Sequence, residues 1–471
     1  MYLCDYCTVK LSTGEVVASE LFDHEIDPMK TKNVVGDLSY KKEIKFLSKK
    51  LSERIQNTDH DHQFKKNRLK QLYIMDKNIL KRKASFIFCI AFIGLLIPLN
   101  LQAQDLKDPV IVALKETEIA RAKIYLSSIP ETVTDAHCER SVGGLHDFYS
   151  EGDYWWPNPE NPGGAYQQRD GQTNPDNFTT HRYAMIRLSE ITATLTSAWL
   201  LTEDKMYADK ALEHLNAWFV DTNTKMNPHL LYAQAIFGKV TGRGIGLIDA
   251  YHFVEVARSV KVLSDKGGIS PEQSVKIKAW FSEFLEWMTT HEYGISEMNW
   301  KNNHGTCWAA TAASMAVLTE NEEIIILCKD RFKNTLLSNQ MAFDGSFPLE
   351  LKRTKPYGYS LFNIDAFCNL AQILSTPDDN LFEYETKDGK SLKKGLEFIY
   401  PYVEDKSKWP YEKDIYIWNE WPVCHPALLF GALAYNNSKY LDTYLELPAY
   451  PNHSEVIRNL PVRHPIIWII N

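Results

Sequence analysis

The sequence has no excess of positive charge, few cysteines and little strand-like alternation, and each shortage removes a class of protein. Its formal net charge is −8. The first 103 residues carry more Lys and Arg than Asp and Glu, so the remainder is more acidic still. Such a balance excludes nucleic acid and anionic membranes as partners. A polyanionic substrate fits only if the basic groups gather in a cleft. Of 8 cysteines, those beyond residue 103 are Cys138, Cys307, Cys328, Cys368 and Cys424. An odd, scattered set is not a disulfide framework. Cys4 and Cys7 form a C-x-x-C without a second pair, and Cys307 lies one turn from His304 without further ligands, so no metal is expected.

Long apolar runs are also scarce. One runs from Phe86 to Leu99, too short for a comfortable membrane span. It follows Lys77, Lys81, Arg82 and Lys83 and precedes Leu101-Gln102-Ala103. This is the layout of a secretory signal peptide spanning 75–103, with Met75 as the initiator and cleavage after Ala103. Residues 1–74 then read as a spurious or disordered extension. Cys89 lacks the flanking small residues of a lipoprotein signal, so no membrane anchor is expected. Residues 104–471 form a single domain, expected to be monomeric and periplasmic or secreted.

What is present is helix after helix, in pairs. Apolar residues recur at helical spacing over 183–202 and 204–220, 247–264 and 271–290, 305–318 and 321–338, 359–375 and 391–404, and 426–435 and 437–446. A further helix lies near 108–128. Lys266-Gly267-Gly268 and Pro271 punctuate the second pair. Repeated antiparallel pairs predict an all-α fold, an α/α toroid or incomplete barrel whose inner helix ends and loops line a cleft.

The connections hold the unusual residues. The stretch 143–181 has little helical signal yet contains Tyr154, Trp155 and Trp156 beside Asn158, Arg169, Asp170, Asp176 and Arg182. Flat rings stack on pyranose faces while polar groups bond hydroxyls, so this loop reads as a sugar-binding wall. The bland alternative packs those rings onto the rim. In Asn227–Phe253, Gly238, Gly242, Gly244 and Gly246 match neither a dinucleotide fingerprint nor a P-loop, and no nucleotide or other cofactor is expected. Tyr232, Gln234 and Arg243 there read as a cation presented at a cleft wall. In Asp344–Phe367, Arg353 is followed by Tyr357 and Tyr359 as a helix begins. The polar run Asn302-Asn303-His304 precedes the small, apolar helix 305–318. An N-cap alone needs neither two Asn nor a His.

Asn, His, Arg and Tyr at helix starts suit β-elimination from a uronic-acid polymer. The C5 proton is weakly acidic until the neighbouring carboxylate is neutralised, which Asn, Arg or a charged His can do. A base then removes that proton while an acid protonates the departing O4. His and Tyr are the natural pair, the Tyr shifted down by adjacent cations.

The segments NNHGTCWAA, DGSFPLELKR followed by YSLFN, and YAQAIFGKVTGRGIG together resemble the alginate-lyase superfamily of secreted bacterial polysaccharide lyases. The likeness runs from about His146 to about Pro426. It implies a toroid of six or seven helical hairpins. It also implies Asn303 and Arg353 as carboxylate neutralisers, His304 as base or neutraliser, and Tyr359 as general acid, with Tyr357 the weaker alternative. Other members follow this Tyr with His, whereas Ser360 follows Tyr359 here, which puts substrate preference in question. Polymannuronate, in alginate, is the expected substrate, because its C5 proton and O4 lie on one face and a single Tyr can serve both. Glucuronan cleavage by the same chemistry is the alternative. A glycoside hydrolase on the same toroid would pair carboxylates from Asp153, Asp176, Asp344, Glu350 and Glu420. A non-catalytic glycan-binding protein would need none of these groups.

A chain beginning at Gln104 is expected to fold and act as the full chain does, measured by thermal unfolding and product formation. Loss of folding, restored by residues 1–74, would make that extension part of the structure.

Overall fold

The computed structural model describes residues 4–10, 16–23 and 106–470. They fall in two compact units, Met1–Leu101 and Gln102–Asn471. In the first, β1 (Cys4–Lys10) and β2 (Val16–Asp23) pair antiparallel, with Cys4 opposite Asp23. The signal-peptide stretch 75–103 lies outside the described residues.

The second unit is an α/α toroid built from helical hairpins. After α1 (Lys107–Tyr125), α2 (Thr180–Thr202) pairs with α3 (Lys205–Phe219), and α4 (Phe253–Asp265) with α5 (Pro271–Thr290). A short α6 (Glu292–Met298) leads into α7 (Asn303–Thr319), which pairs with α8 (Glu322–Arg331). A one-turn α9 (Pro348–Leu351) precedes α10 (Pro356–Leu374), which returns through α11 (Leu392–Glu404). The hairpin of α12 (Pro426–Tyr435) and α13 (Ser438–Glu446) and the short α14 (Ser454–Arg458) and α15 (Ile466–Ile469) complete it. All five helix pairs expected from the periodicity are present. No described helix is long and apolar enough to cross a membrane.

Three hairpins share one turn chemistry. Glu203, Glu320 and Asn436 end α2, α7 and α12 in the left-handed region, at φ 58°, 59° and 47°. The next residue, Asp204, Asn321 or Asn437, caps the following helix with its side chain. A left-handed residue satisfies the last carbonyls of one helix, and an Asx side chain satisfies the first N–H groups of the next. Two residues therefore reverse the chain and force antiparallel neighbours.

Inner and outer helices differ in pattern. α7 and α10 are buried on nearly every side, as helices surrounded by other helices must be. In α7 small residues (Ala309, Ala310, Ala312, Ala313, Ala316) admit close neighbours. α3 and α11 bury one stripe only. An aromatic knot of Trp218, Phe219, Phe253, Trp280, Phe281 and Phe284 fills the space between α3, α4 and α5.

Two departures from the expected pattern matter for the site. The stretch 143–181 is not structureless. It forms β3 (Tyr149–Glu151), parallel to β6 (Tyr232–Ala235), and a small hairpin of β4 (Trp155–Trp156) with β5 (Gln167–Gln168). The helix expected from 247 instead begins as a 3₁₀ segment, Gly244–His252. Here the chain runs against β6: a Cβ on Gly242 would stand 1.9 Å from the Leu231 carbonyl oxygen, and one on Gly246 2.6 Å from that of Ala233. These glycines serve backbone approach, and no phosphate cradle is involved.

Asn302 is the N-cap of α7, its side chain accepting from the His304 N–H. Asn302→Ala should therefore lower stability by about 1 kcal/mol, read by denaturant unfolding. An unchanged midpoint would assign the cap elsewhere.

Candidate active site

Because Asn302 does the capping, the side chains of Asn303 and His304 are left for other work. Both line a cavity of about 140 Å³, together with Arg353, Tyr359, Tyr154, Trp155, Gln234 and Arg243. Four separate elements bring these residues together: the start of α7, the loop before α10 with its first turn, the β4 hairpin, and the β6 loop.

Each of the central residues is braced from behind. His304 Nδ1 donates to Glu297 Oε1 of α6 across 2.6 Å, which turns Nε2 toward the cavity. Glu297 is buried, and burial raises its pKa despite the opposing His304. Asn303 is gripped by Glu350 of α9, which accepts the backbone N–H at 2.8 Å and Nδ2 at 3.0 Å. Burial pushes the Glu350 carboxyl up to about 7, against the hydrogen bonds of Asn303 and the charge of Arg353. The Arg353 guanidinium lies over the Tyr359 ring at 4.3 Å and donates to its hydroxyl at 3.3 Å. Asp170 accepts from Arg353 at 3.4 Å and from Thr354 at 3.1 Å.

Tyr359 sits in the first turn of α10. That turn is held by Asp414, which accepts from the N–H groups of Tyr357 and Gly358 at 2.8 and 2.9 Å. The Tyr359 hydroxyl meets the Tyr154 hydroxyl at 2.8 Å, and the Lys355 ammonium lies 5.3 Å from its ring centre. The expectation that cations shift this Tyr down is corrected. Burial, aided by Tyr154, raises its pKa and outweighs Lys355 and Arg353. Tyr359 is therefore a neutral hydroxyl, equipped to give a proton. Ser360 turns inward and donates to the Pro356 carbonyl at 2.7 Å.

The expected binding residues divide. Tyr154 and Trp155 line the cavity, with the Lys239 ammonium 4.7 Å from the Trp155 ring. Trp156 stands outside it on the hairpin, under the Arg169 guanidinium at 5.0 Å. Gln234 holds φ at 50° and binds Arg243 through both its backbone and side-chain oxygens, each at 3.0 Å. Among the described residues, no carboxylate lies within ion-pair distance of Arg243, which lines the cavity and feels Asp153, Asp249 and Glu297 only from farther away. Two residues belong elsewhere, and a third is held fast. Tyr357 is fully buried against Trp409 and Trp418, with its hydroxyl on the Tyr402 carbonyl. Tyr232 packs beside Cys138, Tyr149 and Ala235. Arg182 lines the cavity but is 2 % exposed, clamped between Asp153 at 2.6 Å and Asp249 at 3.0 Å.

Arg182 belongs to a chain of ions, of which Asp153, Asp249 and Arg458 also line the cavity. Lys355 pairs with Glu455 at 2.8 Å, Glu455 with Arg458 at 2.8 Å, Arg458 with Asp153 at 2.5 Å, and Asp153 with Arg182. Asp249 ends it, accepting from Ser150, whose oxygen accepts the Gln234 N–H. Arg182 and Arg458 hold the Asp153 carboxyl down at about 2 despite its burial. Sequence reasoning missed Glu297, Lys355, Arg458, Glu455 and Asp249. Only Glu297, seven residues before His304, and Lys355, four before Tyr359, left a local signal. Asp153 and Glu350, read as hydrolase carboxylates, are committed to Arg182, Arg458 and Asn303.

Known proteins can now be compared. The sequence model of the family described as Alginate lyase matches residues 132–409. Among solved structures, the chain is similar to an alginate lyase from Bacteroides ovatus. That match has 31% identity and a TM-score of 0.66, covering 78% of this chain and 96% of that one. Alginate lyase A1-III from Sphingomonas species A1 aligns at 14% identity and a TM-score of 0.47, covering 74% and 94%. No curated protein matches.

Arg182→Ala leaves Asp249 without its cation and Asp153 with Arg458 alone, and should cost about 3–5 kcal/mol of folding stability. Chemical denaturation measures this. A nearly unchanged midpoint with weakened substrate binding would return Arg182 to the binding surface.

Proposed function

The chain belongs to the alginate-lyase family and is a polysaccharide lyase, and on that premise we propose that it cleaves a β-1,4-linked uronan, alginate first, by metal-independent β-elimination. The observation that carries this reading is the meeting of Asn303, His304, Arg353 and Tyr359 around one cavity, with Asn303 and His304 each braced by a buried carboxyl.

In this mechanism the substrate carboxylate lies against the Arg353 guanidinium and the Asn303 amide. Their donors match the charge that builds on the carboxylate as the C5 proton leaves. His304 Nε2 takes that proton, and the imidazolium so formed faces the Glu297 carboxyl across 2.6 Å. The C5–H electrons form the C4–C5 double bond, the C4–O4 bond breaks, and O4 receives the Tyr359 proton. The resulting phenolate lies beside Arg353 and Lys355, the two cations that already oppose its raised pKa. Trp155, Lys239 and Arg243 supply a stacking face and charge for neighbouring sugars. Export through residues 75–103 belongs to the same reading, since the polymer is met outside the cytoplasm.

Polymannuronate within alginate is the first substrate. Glucuronan is a second reading by the same chemistry: its residues share the C4 and C5 configuration of mannuronate and differ at C2, so His304 and Tyr359 would serve it in the same way.

Tyr359→Phe should lower turnover on the preferred uronan by about 10²–10⁴ while the fold persists. His304→Ala and Arg353→Ala should lose comparably, and Asn303→Ala somewhat less. Ultraviolet absorbance of the unsaturated product across a panel of polymannuronate, polyguluronate and glucuronan provides the measurement. Near-normal turnover of both Tyr359→Phe and His304→Ala would show that the chemistry lies elsewhere. Reducing ends without the unsaturated chromophore would mark a hydrolase.

A further inference from the structure

Glu350 is the site's least expected member. It is a carboxyl with no exposed surface, placed directly behind the amide assigned to a negatively charged substrate group. Both its oxygens accept from Asn303, one from the backbone N–H and one from Nδ2. The cost falls on the other end of the amide: Asn303 Oδ1 is buried without a hydrogen-bond partner. An unpartnered buried carbonyl oxygen is unfavourable, and here it results directly from Glu350 being an acceptor.

A carboxylic acid at the same place reverses the arrangement. Its O–H can donate to Oδ1 after the amide turns over, while its other oxygen keeps the backbone N–H. The turn pairs the orphaned Oδ1 and frees both Nδ2 hydrogens, the donors a uronate carboxylate needs. We propose that Glu350 is a positioning residue whose protonation selects the face of the Asn303 amide, so that the anionic sugar binds together with a proton. This rests on the reading of Asn303 as a carboxylate neutraliser.

The surroundings agree. The charged and titratable groups that act on Glu350 are His304 and Cys307 from α7 and Arg353 just beyond α9. From α10, Tyr359 reaches it through Arg353. With the carboxyl already at about 7, a substrate carboxylate arriving beside Arg353 pushes the equilibrium further toward the acid. The sign follows: binding is favoured below the free-state value and is lost as pH rises through it.

The test uses the Tyr359→Phe chain and a short mannuronate oligomer, with affinity measured from pH 6 to 9 and heats compared in two buffers of different ionisation enthalpy. The dissociation constant should rise about tenfold per pH unit above pH ~7, with proton uptake on binding at pH ~8. Adding E350Q, whose amide donates to Oδ1 at every pH, should abolish the Glu350 part of that slope and uptake. An unchanged slope and uptake in E350Q overturn the proposal. Should E350Q not fold, His304→Ala in the Tyr359→Phe chain decides: uptake that persists supports Glu350, and uptake that vanishes overturns it. Absence of unsaturated product from the wild-type chain on every uronan would instead sink the lyase reading, a separate result.

Discussion

The cavity rests on a problem of charge burial. A site for a polyanion needs cations, yet a buried cation loses several kcal/mol of hydration unless a counter-charge compensates. The chain Lys355–Glu455–Arg458–Asp153–Arg182–Asp249 answers with strict alternation of three cations and three carboxylates. It joins α14, the β3–β4 segment, α2 and the 3₁₀ segment, elements far apart in sequence. Its total charge is neutral. The field offered to substrate therefore comes from what stands above it, chiefly Arg243, without a carboxylate partner among the described residues, and Arg353, loosely held by Asp170 at 3.4 Å. An acidic protein presents a basic cleft by spending most of its buried cations on architecture and leaving only a few unmatched.

This division explains which side chains were legible. The helix pairs were readable because periodicity and turn chemistry are local: Glu203-Asp204, Glu320-Asn321 and Asn436-Asn437 state their hairpins within two residues. Asn303, His304, Arg353 and Tyr359 were also readable, because their types cluster at helix starts. Their braces were not. Glu350 lies 47 residues from Asn303, and Arg182 finds Asp153 and Asp249 at separations of 29 and 67. Pairing across such distances leaves no trace in spacing. Arg182 does line the cavity, but the carboxylates that enclose it were not legible, since an Arg beside aromatics looks the same with or without them.

Tyr357 and Tyr359 show a different limit. Two residues apart on one helix, they point to nearly opposite sides, so both could not face the cavity. The pattern requires that one be buried without saying which. The structure settles it through Trp409 and Trp418, which close over Tyr357. The direction of the Tyr359 shift was misjudged for a related reason. The nearby cations are visible in KRTKPYGY, whereas the burial that outweighs them depends on Tyr154 and the loop that carries it.

The start of α7 ties these threads together. A helix N-terminus carries unsatisfied N–H groups and a partial positive charge, so it needs a cap and it attracts anions. Asn302 answers the first need by accepting the His304 N–H, and Glu350 accepts that of Asn303. With those donors satisfied, the helix end still contributes its positive potential but offers a ligand fewer free N–H groups. The contact with an incoming carboxylate then falls to side chains, the Asn303 amide and the His304 ring. Side chains, unlike backbone donors, can be turned and held by partners behind them, and Glu350 and Glu297 occupy those positions. Two consecutive Asn before a His are therefore not redundant. The first closes the helix, and this lets the second and the His be aimed by buried carboxyls at whatever enters the cavity.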